Sequence, residues 1–319
     1  MVRALFLAAM LGFASLPAFA SGAVLVMNSS AASLSIVGID SQTEIGRIPV
    51  LREPHHWALT PDKRELLVGD SAGNELLLLD PTSFALKRRI PVADPYQLRF
   101  SPDGKFLVIN GLARAQVDVY DAATYRLVKR FALKTMPSHL DFSPDSASVF
   151  ISLQGTNRLA AIDLRAMAVL WDKPVGKAPA GVMWQNGRVL VANMGSDDVA
   201  VVDPKDGKVL QRLHIGRGTH QVFRAPDGKT LWVNSRIDST ATVIDATTLK
   251  TIRSYKLPGG PDDLVFAPDG KVWFTLRFAN KLAVLDPVSG NFTTIAVGRS
   301  PHGIFLNPRA VPAQVVGAK

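Results

Sequence analysis

The motif Phe100-Ser101-Pro102-Asp103-Gly104-Lys105 is the strongest indication of the fold, because versions of it recur along the chain. Clear copies begin at Phe142, Ala225 and Ala267, and weaker ones begin at Thr60 and Gln185. The proline presets one turn dihedral, and the glycine is free to adopt a positive φ. The phrase is therefore typical of a tight turn that joins two strands.

A second marker is an aspartate that closes a short apolar run in every repeat. These residues are Asp40, Asp80, Asp121, Asp163, Asp203, Asp245 and Asp286, and successive gaps are 40, 41, 42, 40, 42 and 41 residues. Each repeat holds four short runs rich in Val, Ile and Leu, bounded by Pro, Gly, Asp and Asn, which is the chemistry of strands and turns. Four-stranded units at this period predict the blades of a β-propeller.

The ends of the chain supply the last blade. Val24 to Asn28, Leu34 to Ile39 and Glu44 to Val50 match strands two, three and four of a blade, and Gly303 to Asn307 matches strand one. Pairing of these pieces would close the ring and remove exposed sheet edges. We predict an all-β fold: a single seven-bladed propeller of four-stranded antiparallel blades over residues 21–308, closed by this split blade. Residues 309–319 are expected to form a loose tail.

Residues 1–20 have the three parts of a secretory signal peptide. Arg3 supplies a positive charge, an apolar run extends from Ala4 to Leu16, and Ala18-Phe19-Ala20 precedes Ser21. The run is short for a transmembrane helix, and no later stretch is long and apolar enough to span a bilayer. We predict cleavage after Ala20 and a periplasmic or secreted protein. The alternative is an uncleaved anchor.

Composition excludes several classes of function. The chain has 319 residues, 47% hydrophobic and 20% charged, so disorder is excluded as its main state. It has no cysteine, which excludes disulfides, thiolate metal sites, cysteine nucleophiles and covalently attached c-type haem. The formal charge of +9 is compatible with anionic partners. Much of the basic charge falls on predicted fourth strands, where it discourages edge pairing. Nucleic acid is not expected, because no basic stripe with interleaved aromatic residues is present.

Alignment of the blades on the Pro-Asp-Gly turn brings polar residues into one column near the upper opening of the central channel. Four members on consecutive blades are His220, Asp262, His302 and His55. Histidine and carboxylate are ordinary ligands of divalent ions, so these four are candidate metal ligands. The alternative is that Pro-His simply begins a blade and repetition has copied it. His139, in the next column, is expected to be structural.

Arginines are predicted on the same face. Arg236 and Arg277 follow strand two at equivalent places in adjacent blades, and Arg299 precedes His302 by three residues. A guanidinium group pairs bidentately with carboxylate or phosphate, so this sector predicts a site for a small anionic ligand. The alternative is solvated arginines, some paired with Asp238 or Asp262. The candidate binding set is His55, His220, Arg236, Asp262, Arg277, Arg299 and His302. These positions are placed at loop ends, so we expect their substitution to cost little stability.

The complete repeat pattern, Pro-His…Phe-x-Pro-Asp-Gly-Lys…Val-x-Asn…Val-x-Val-x-Asp…Thr, resembles the YVTN-repeat or YncE-like β-propellers of bacteria. The resemblance implies a seven-bladed exported propeller. It leaves the role open, because related propellers include YncE-like periplasmic proteins, the haem-binding domain of cytochrome-type nitrite reductases, and lactonases. The chain lacks the cysteine-bearing cytochrome domain of those reductases, which argues against electron transfer by itself.

Two classes of function compete. We favour a non-catalytic, monomeric scaffold of the periplasm that presents its upper face to a small anionic ligand or to a protein partner. The alternative uses the His/Asp cluster at the channel mouth, either as a metal-assisted hydrolase of the lactonase kind or as a haem-binding or haem-handling protein. No serine nucleophile with a base is recognisable, but a propeller can assemble a site from distant loops.

Overall fold

The computed structural model of the protein describes residues 22–133 and 135–313. Within them, 28 β-strands form seven four-stranded antiparallel sheets, and in six of these the strands follow their order in the chain. The split blade, blade 1, contains β1 (Ala23–Asn28), β2 (Ser33–Gly38), β3 (Glu44–Pro49) and, from the other end of the chain, β28 (Pro301–Asn307). The seven-bladed fold predicted from the repeats is confirmed.

The other six blades follow one another along the chain. Blades 2 to 4 contain β4 (Pro54–Leu59), β5 (Leu66–Asp70), β6 (Glu75–Leu79), β7 (Leu86–Pro91), β8 (Gln97–Phe100), β9 (Phe106–Gly111), β10 (Gln116–Asp121), β11 (Leu127–Ala132), β12 (Pro137–Phe142), β13 (Ser148–Leu153), β14 (Arg158–Asp163) and β15 (Ala168–Pro174). Blades 5 to 7 contain β16 (Pro179–Gln185), β17 (Arg188–Asn193), β18 (Asp198–Val202), β19 (Val209–His214), β20 (Thr219–Arg224), β21 (Thr230–Ser235), β22 (Thr240–Asp245), β23 (Thr251–Lys256), β24 (Pro261–Phe266), β25 (Val272–Leu276), β26 (Lys281–Leu285) and β27 (Phe292–Ala296). A short 3-10 turn, Gln154–Thr156, lies between β13 and β14.

The ring is closed at the split blade as predicted. β28 pairs with β1 in antiparallel register, so that Leu25 lies opposite Phe305. The β28 strand is therefore the innermost strand of blade 1, and β3 is its outer edge. The same gradient holds in other blades, because the middle strands are buried and the fourth strands, such as β7, are mostly exposed.

The repeated aspartates and glycines shape the turns as their chemistry predicts. Oδ1 of Asp80 accepts hydrogen bonds from the backbone amides of Thr82 and Ser83, which starts the turn into β7. In the Pro-Asp-Gly turn after β8, Oδ1 of Asp103 accepts a hydrogen bond from the backbone amide of Lys105, and Gly104 has a φ of +70°. A side chain that accepts bonds two or three residues ahead replaces the missing strand partners at the turn.

The described part of the C-terminal tail is not loose. Ala310 is fully buried, and the amides of Val311 and Ala313 donate to the carbonyl oxygens of Thr82 and Ser83 in blade 2. No sequence pattern predicts this contact, because the segment lacks strand periodicity and is held through its backbone. Residues 309–313 therefore tie the split blade to blade 2.

The predicted signal peptide, residues 1–20, lies outside the described residues. In the part of the chain that the structure does describe, no helix has the length and apolar character needed to cross a membrane.

Candidate functional site

The candidate residues of the first column lie on the inner strands of four consecutive blades and meet at the propeller axis. His220, Asp262, His302 and His55 belong to β20, β24, β28 and β4, and each is buried. We call the side where these strands begin the upper side and the side where they end the lower side. These positions are therefore not the exposed loop ends that the sequence predicted, and we expect their substitution to cost stability. The first strand of each blade begins at the channel wall, where side chains from neighbouring blades cover one another.

Asp262 is the centre of this arrangement. Its Oδ1 accepts a hydrogen bond from Nε of Arg236 at 2.5 Å, and Nη2 of Arg236 also contacts this oxygen. The same Oδ1 lies 3.0 Å from Nδ1 of His220. Its Oδ2 lies 2.5 Å from Nδ1 of His302 and accepts Nη1 of Arg277 at 3.1 Å. Three adjacent blades thus contribute to the environment of one carboxylate that has no solvent exposure. A buried carboxylate with this many donors is compensated rather than isolated.

Imidazole rings continue the cluster below Asp262. Nε2 of His302 lies 3.0 Å from Nε2 of His56, and the ring centroids of His302 and His55 are 3.9 Å apart. His139 joins the group through contacts with His56 and His220, at centroid distances of 5.0 and 5.4 Å. We call the five side chains, His55, His56, His139, His220 and His302, the histidine cluster.

Sequence reasoning did not place His56 and His139 in this cluster. An ideal strand sends consecutive side chains to opposite faces, so His55 and His56 should diverge. The structure shows an irregular register at this point, because Pro54 pairs with Asp70 whereas Trp57 pairs with Val68. The same irregularity occurs in β12 between Pro137 and Leu140. A bulge redirects side chains, and it brings both columns of the blade alignment to the axis. The two adjacent histidine-bearing columns were the available signal.

Burial controls the charge of the cluster. It lowers the pKa of all five histidines, and neighbouring imidazoles and arginines add to the shift for His55, His56 and His139. The histidines are therefore neutral near pH 7. Burial opposes ionisation of Asp262, but Arg236, His302 and His220 outweigh it and hold its pKa well below the usual range. Two arginines thus face the one buried carboxylate of Asp262, and the half-buried carboxyl group of Glu53 also interacts with the charge of Arg277.

Residues at the end of strand two hold the cluster in place from the preceding blade. Nδ2 of Asn234 donates to the carbonyl oxygen of Asp262 at 3.2 Å, and Oγ1 of Thr275 donates to that of His302 at 2.9 Å. Asn110 makes the same contact with Ser138 at 2.9 Å. This repeated link fixes the spacing between inner strands, which positions the side chains they carry.

Arg299 is not brought to Asp262. Its side chain is exposed, and its carbonyl oxygen accepts the amide of Ser30. Arg217, in the equivalent place before His220, pairs with Asp238 at 2.7 Å. Of the arginines predicted at the upper opening, Arg236 and Arg277 are the two that contact the buried carboxylate.

A family model described as a YNCE-like beta-propeller matches residues 1–311. The chain belongs to this YncE-like family. The match agrees with the repeat pattern and with the seven blades. Membership establishes the architecture of this YncE-like propeller, whereas a ligand must be argued from its own residues.

A curated relative, Protein NirF of Pseudomonas aeruginosa, is 29% identical over 185 residues. The match covers 53% of the YncE-like propeller and 47% of NirF, so the chain spans about half the length of this relative. The similarity therefore covers about half of this chain and about half of NirF.

Two solved structures are similar to the propeller over most of its length. The periplasmic gluconolactonase PpgL of Pseudomonas aeruginosa is 19% identical, with a TM-score of 0.72, and the alignment covers 91% of this chain and 99% of PpgL. The dihydro-haem d1 dehydrogenase NirN is 18% identical, with a TM-score of 0.64, over 91% of this chain and 76% of NirN. At these identities the likeness shows a shared fold.

Proposed function

We propose that this protein is an exported propeller that binds a small anionic ligand at the upper opening of its channel. The observation that carries the proposal is the convergence of Arg236 and Arg277, from adjacent blades, on the single buried carboxylate of Asp262. The carboxylate neutralises one guanidinium group, and the histidines beside it are neutral. Arg277 also interacts with the half-buried carboxyl group of Glu53, so an anion that approaches from above would compete with Glu53 for this guanidinium group.

The two arginines are both anchored and accessible. Their side chains are 16% and 22% exposed, so neither is fully covered. Because Asp262 holds them in one geometry, less side-chain freedom is lost when a ligand binds. The residues that follow them, Ile237 and Phe278, are 61% and 65% exposed, which adds apolar surface beside the charge. This combination fits an anion with an apolar part, or the anionic segment of a protein partner.

The comparisons suggest which anions to try. A gluconolactonase and a dihydro-haem d1 dehydrogenase share the fold, and both sugar acids and haems carry carboxylates. Sugar-acid phosphates and haem are therefore suitable probes. Export is part of the same proposal and is checked by the mass of the purified native protein, which should correspond to a chain that begins at Ser21.

The test is calorimetric titration of 6-phosphogluconate, and separately of haemin, into the protein. We expect Arg277→Gln to weaken binding at least tenfold, because a charge-assisted hydrogen bond contributes about 1.5–3 kcal/mol. Arg126→Gln, at an exposed turn on the lower side, is the matched control and should bind as the parent does. If neither probe binds saturably, or if Arg277→Gln binds equally well, the upper opening is not an anion site of this kind.

The upper opening meets one of the two requirements for binding haem. Arg236 and Arg277 suit its carboxylates, but an axial ligand also needs an imidazole nitrogen with a free lone pair facing the iron. In His302, Nδ1 contacts Asp262 and Nε2 contacts His56. Nδ1 of His55 and Nε2 of His139 have no partner, yet both side chains are buried inside the cluster. Haemin therefore serves as a carboxylate probe, and no step is assigned to its iron.

A second candidate function is a divalent metal centre in the histidine cluster. One ligand nitrogen from each of His55, His56 and His302 lies within 4.8 Å of the others, and Nδ1 of His55 is buried without a partner. Ligands of a tetrahedral zinc ion at about 2.0–2.1 Å are about 3.3 Å apart. The 3.0 Å separation of His302 and His56 is close to this value. The set differs from the sequence-based one, because Asp262 and His220 are engaged with each other and with arginines.

Such a centre would be closed rather than catalytic. His55, His56 and His302 are all buried, whereas a catalytic zinc ion keeps an open position for water or substrate. Hydrolysis of the lactonase kind is therefore less well supported than a structural role for a metal. Elemental analysis of protein purified without a His-tag decides the matter. About one equivalent of metal, lost in His55→Gln, supports the centre, and less than a tenth of an equivalent rejects it.

A further inference from the structure

An open cavity of about 650 Å³ lies at the lower mouth of the central channel. Its walls come from the last residues of the inner strands, including Trp57 of β4, Trp184 of β16 and Phe266 of β24. Ligand-binding cavities are commonly about 300–1,000 Å³, so this volume suits a small organic molecule. The cavity lies at the opposite end of the channel from Arg236 and Arg277, and neither of the functions considered above uses it.

Aromatic side chains form much of this wall. Trp57, Trp184, Phe223 and Phe266 line the cavity and are each half-buried. Their rings also pack against the core, Trp184 on Phe150 and Phe266 on Trp232, so part of each aromatic side chain is left uncovered. The indole Nε1 of Trp57 already donates to the carbonyl oxygen of Ile304, which fixes that ring. Fixed aromatic surface around a concave site favours a flat ring that can stack on it or meet it edge to face.

The rim of the same cavity is positively charged. Arg99 pairs with Asp141 at 2.6 Å, which neutralises one guanidinium group. Arg224 instead donates from Nη2 to the carbonyl oxygen of Trp184 at 2.6 Å, a contact that leaves its charge unbalanced. That bond also places the Arg224 guanidinium group beside an aromatic wall residue. The side chains of Arg99, Asp141 and Arg224 together carry a net charge of +1.

A second cavity of about 310 Å³ extends the first one along the channel. The two share Trp57, Arg99 and Gln221, and the second is also lined by His56 and Asp263. Burial raises the pKa of Asp263 to about 8, so its carboxyl group is mostly protonated at neutral pH and can donate a hydrogen bond. The deep end of the site is therefore polar without carrying a repelling negative charge.

We infer that the lower mouth binds a flat aromatic molecule that carries a carboxylate or sulfonate, with its rings between Trp57, Trp184 and Phe266 and its anionic group on Arg224. Charge complementarity selects an anion, and the aromatic wall selects a planar body. The upper opening would hold its own ligand independently, because the histidine cluster separates the two ends of the channel.

The probe is 1-anilinonaphthalene-8-sulfonate, which is aromatic and anionic and has a flat naphthalene ring. Fluorescence titration of the folded protein should show one saturable site per chain, with energy transfer from tryptophan. Arg224→Gln should weaken binding at least tenfold, and Trp184→Leu should weaken binding and reduce the energy transfer. Arg126→Gln, another exposed arginine of the lower side, should bind as the parent does. Circular dichroism and the melting temperature establish that each variant is folded.

Two results of the titrations with the parent protein and with Arg224→Gln would overturn the inference. One is the absence of saturable binding to the parent protein, and the other is unchanged affinity in Arg224→Gln. Arg224 is exposed, so its substitution is expected to leave the fold intact and the titration remains decisive even if Trp184→Leu does not fold. Binding that Arg126→Gln weakens as much as Arg224→Gln does would indicate non-specific attraction to basic surface and would also reject the site.

Discussion

Nδ1 of His302 lies 2.5 Å from Oδ2 of Asp262, although the two residues are 40 positions apart and belong to neighbouring blades. One of them is on β28, the strand that closes the ring. The candidate site is therefore assembled only when the two ends of the chain have paired. Ring closure and the geometry of the polar cluster are one structural event.

Loss of the charge on Asp262 should strongly destabilise the protein. Asp262→Asn would leave Arg236 and Arg277 partly buried without their carboxylate, and breaking a buried pair in this way costs about 3–5 kcal/mol. Asp238→Asn is the matched control, because Asp238 pairs with the largely exposed Arg217. Such exposed pairs contribute about 0.2–1 kcal/mol. Urea unfolding of the two variants measures the difference, and equal losses would show that Asp262 is not the centre of the cluster.

The sequence predicts the seven-bladed ring but not the burial of the candidate site residues. The repeat phrase and the seven aspartates establish blade number and strand order, since each is a local turn signal that recurs at a constant period. The alignment also places His220, Asp262 and His302 on consecutive blades. It cannot show that these inner positions are covered, because burial there comes from all seven blades at once. It also cannot show the register irregularity that brings His56 to the axis, since a bulge depends on pairing geometry.

Acid should destabilise the fold from about pH 6.5 downward. The five histidines of the cluster have lowered pKa values in the folded state, so the unfolded chain binds more protons once the pH falls below 6.5. Each histidine then contributes a loss of up to about 1.4 kcal/mol per pH unit. Melting temperatures at pH 7.5, 6.5 and 5.5 measure this dependence.

His139→Gln should reduce the acid sensitivity, because one buried imidazole is removed that does not contact Asp262. His214→Gln is the control, since His214 is exposed on β19. A parent protein that melts at the same temperature at pH 6.5 and 5.5 would contradict the neutral, buried state of the cluster. So would equal acid sensitivity in the parent and in His139→Gln.

Asp263 should act in the opposite direction. Burial raises its folded pKa to about 8, above the unfolded value near 3.8, so the folded state binds the extra proton between these limits. Stability from this group is present at low pH and is lost as the pH rises toward 8. Together with the histidines, this predicts greatest stability near pH 6.5. Asp263→Asn keeps a hydrogen-bonding group and should remove the decline between pH 6.5 and 8.5. An unchanged decline would show that Asp263 is ionised in the folded protein.

Truncation of the C-terminus separates the role of β28 from that of the docked tail. A chain that ends at Ser300 lacks the innermost strand of blade 1, leaves β1 without its partner and should not form a closed ring. A chain that ends at Pro308 keeps β28 but loses buried Ala310, its two backbone bonds with Gly22 and Asn307, and the two bonds to Thr82 and Ser83. At about 0.5–1.5 kcal/mol for each of these four hydrogen bonds, the second deletion should cost about 2–6 kcal/mol. The matched control ends at Ala313 and retains all of these bonds.

If the chains ending at Pro308 and Ala313 unfold at the same urea concentration, the backbone contact with blade 2 contributes nothing to stability. If the chain ending at Ser300 melts like the full protein, the pairing of β28 with β1 does not close the propeller.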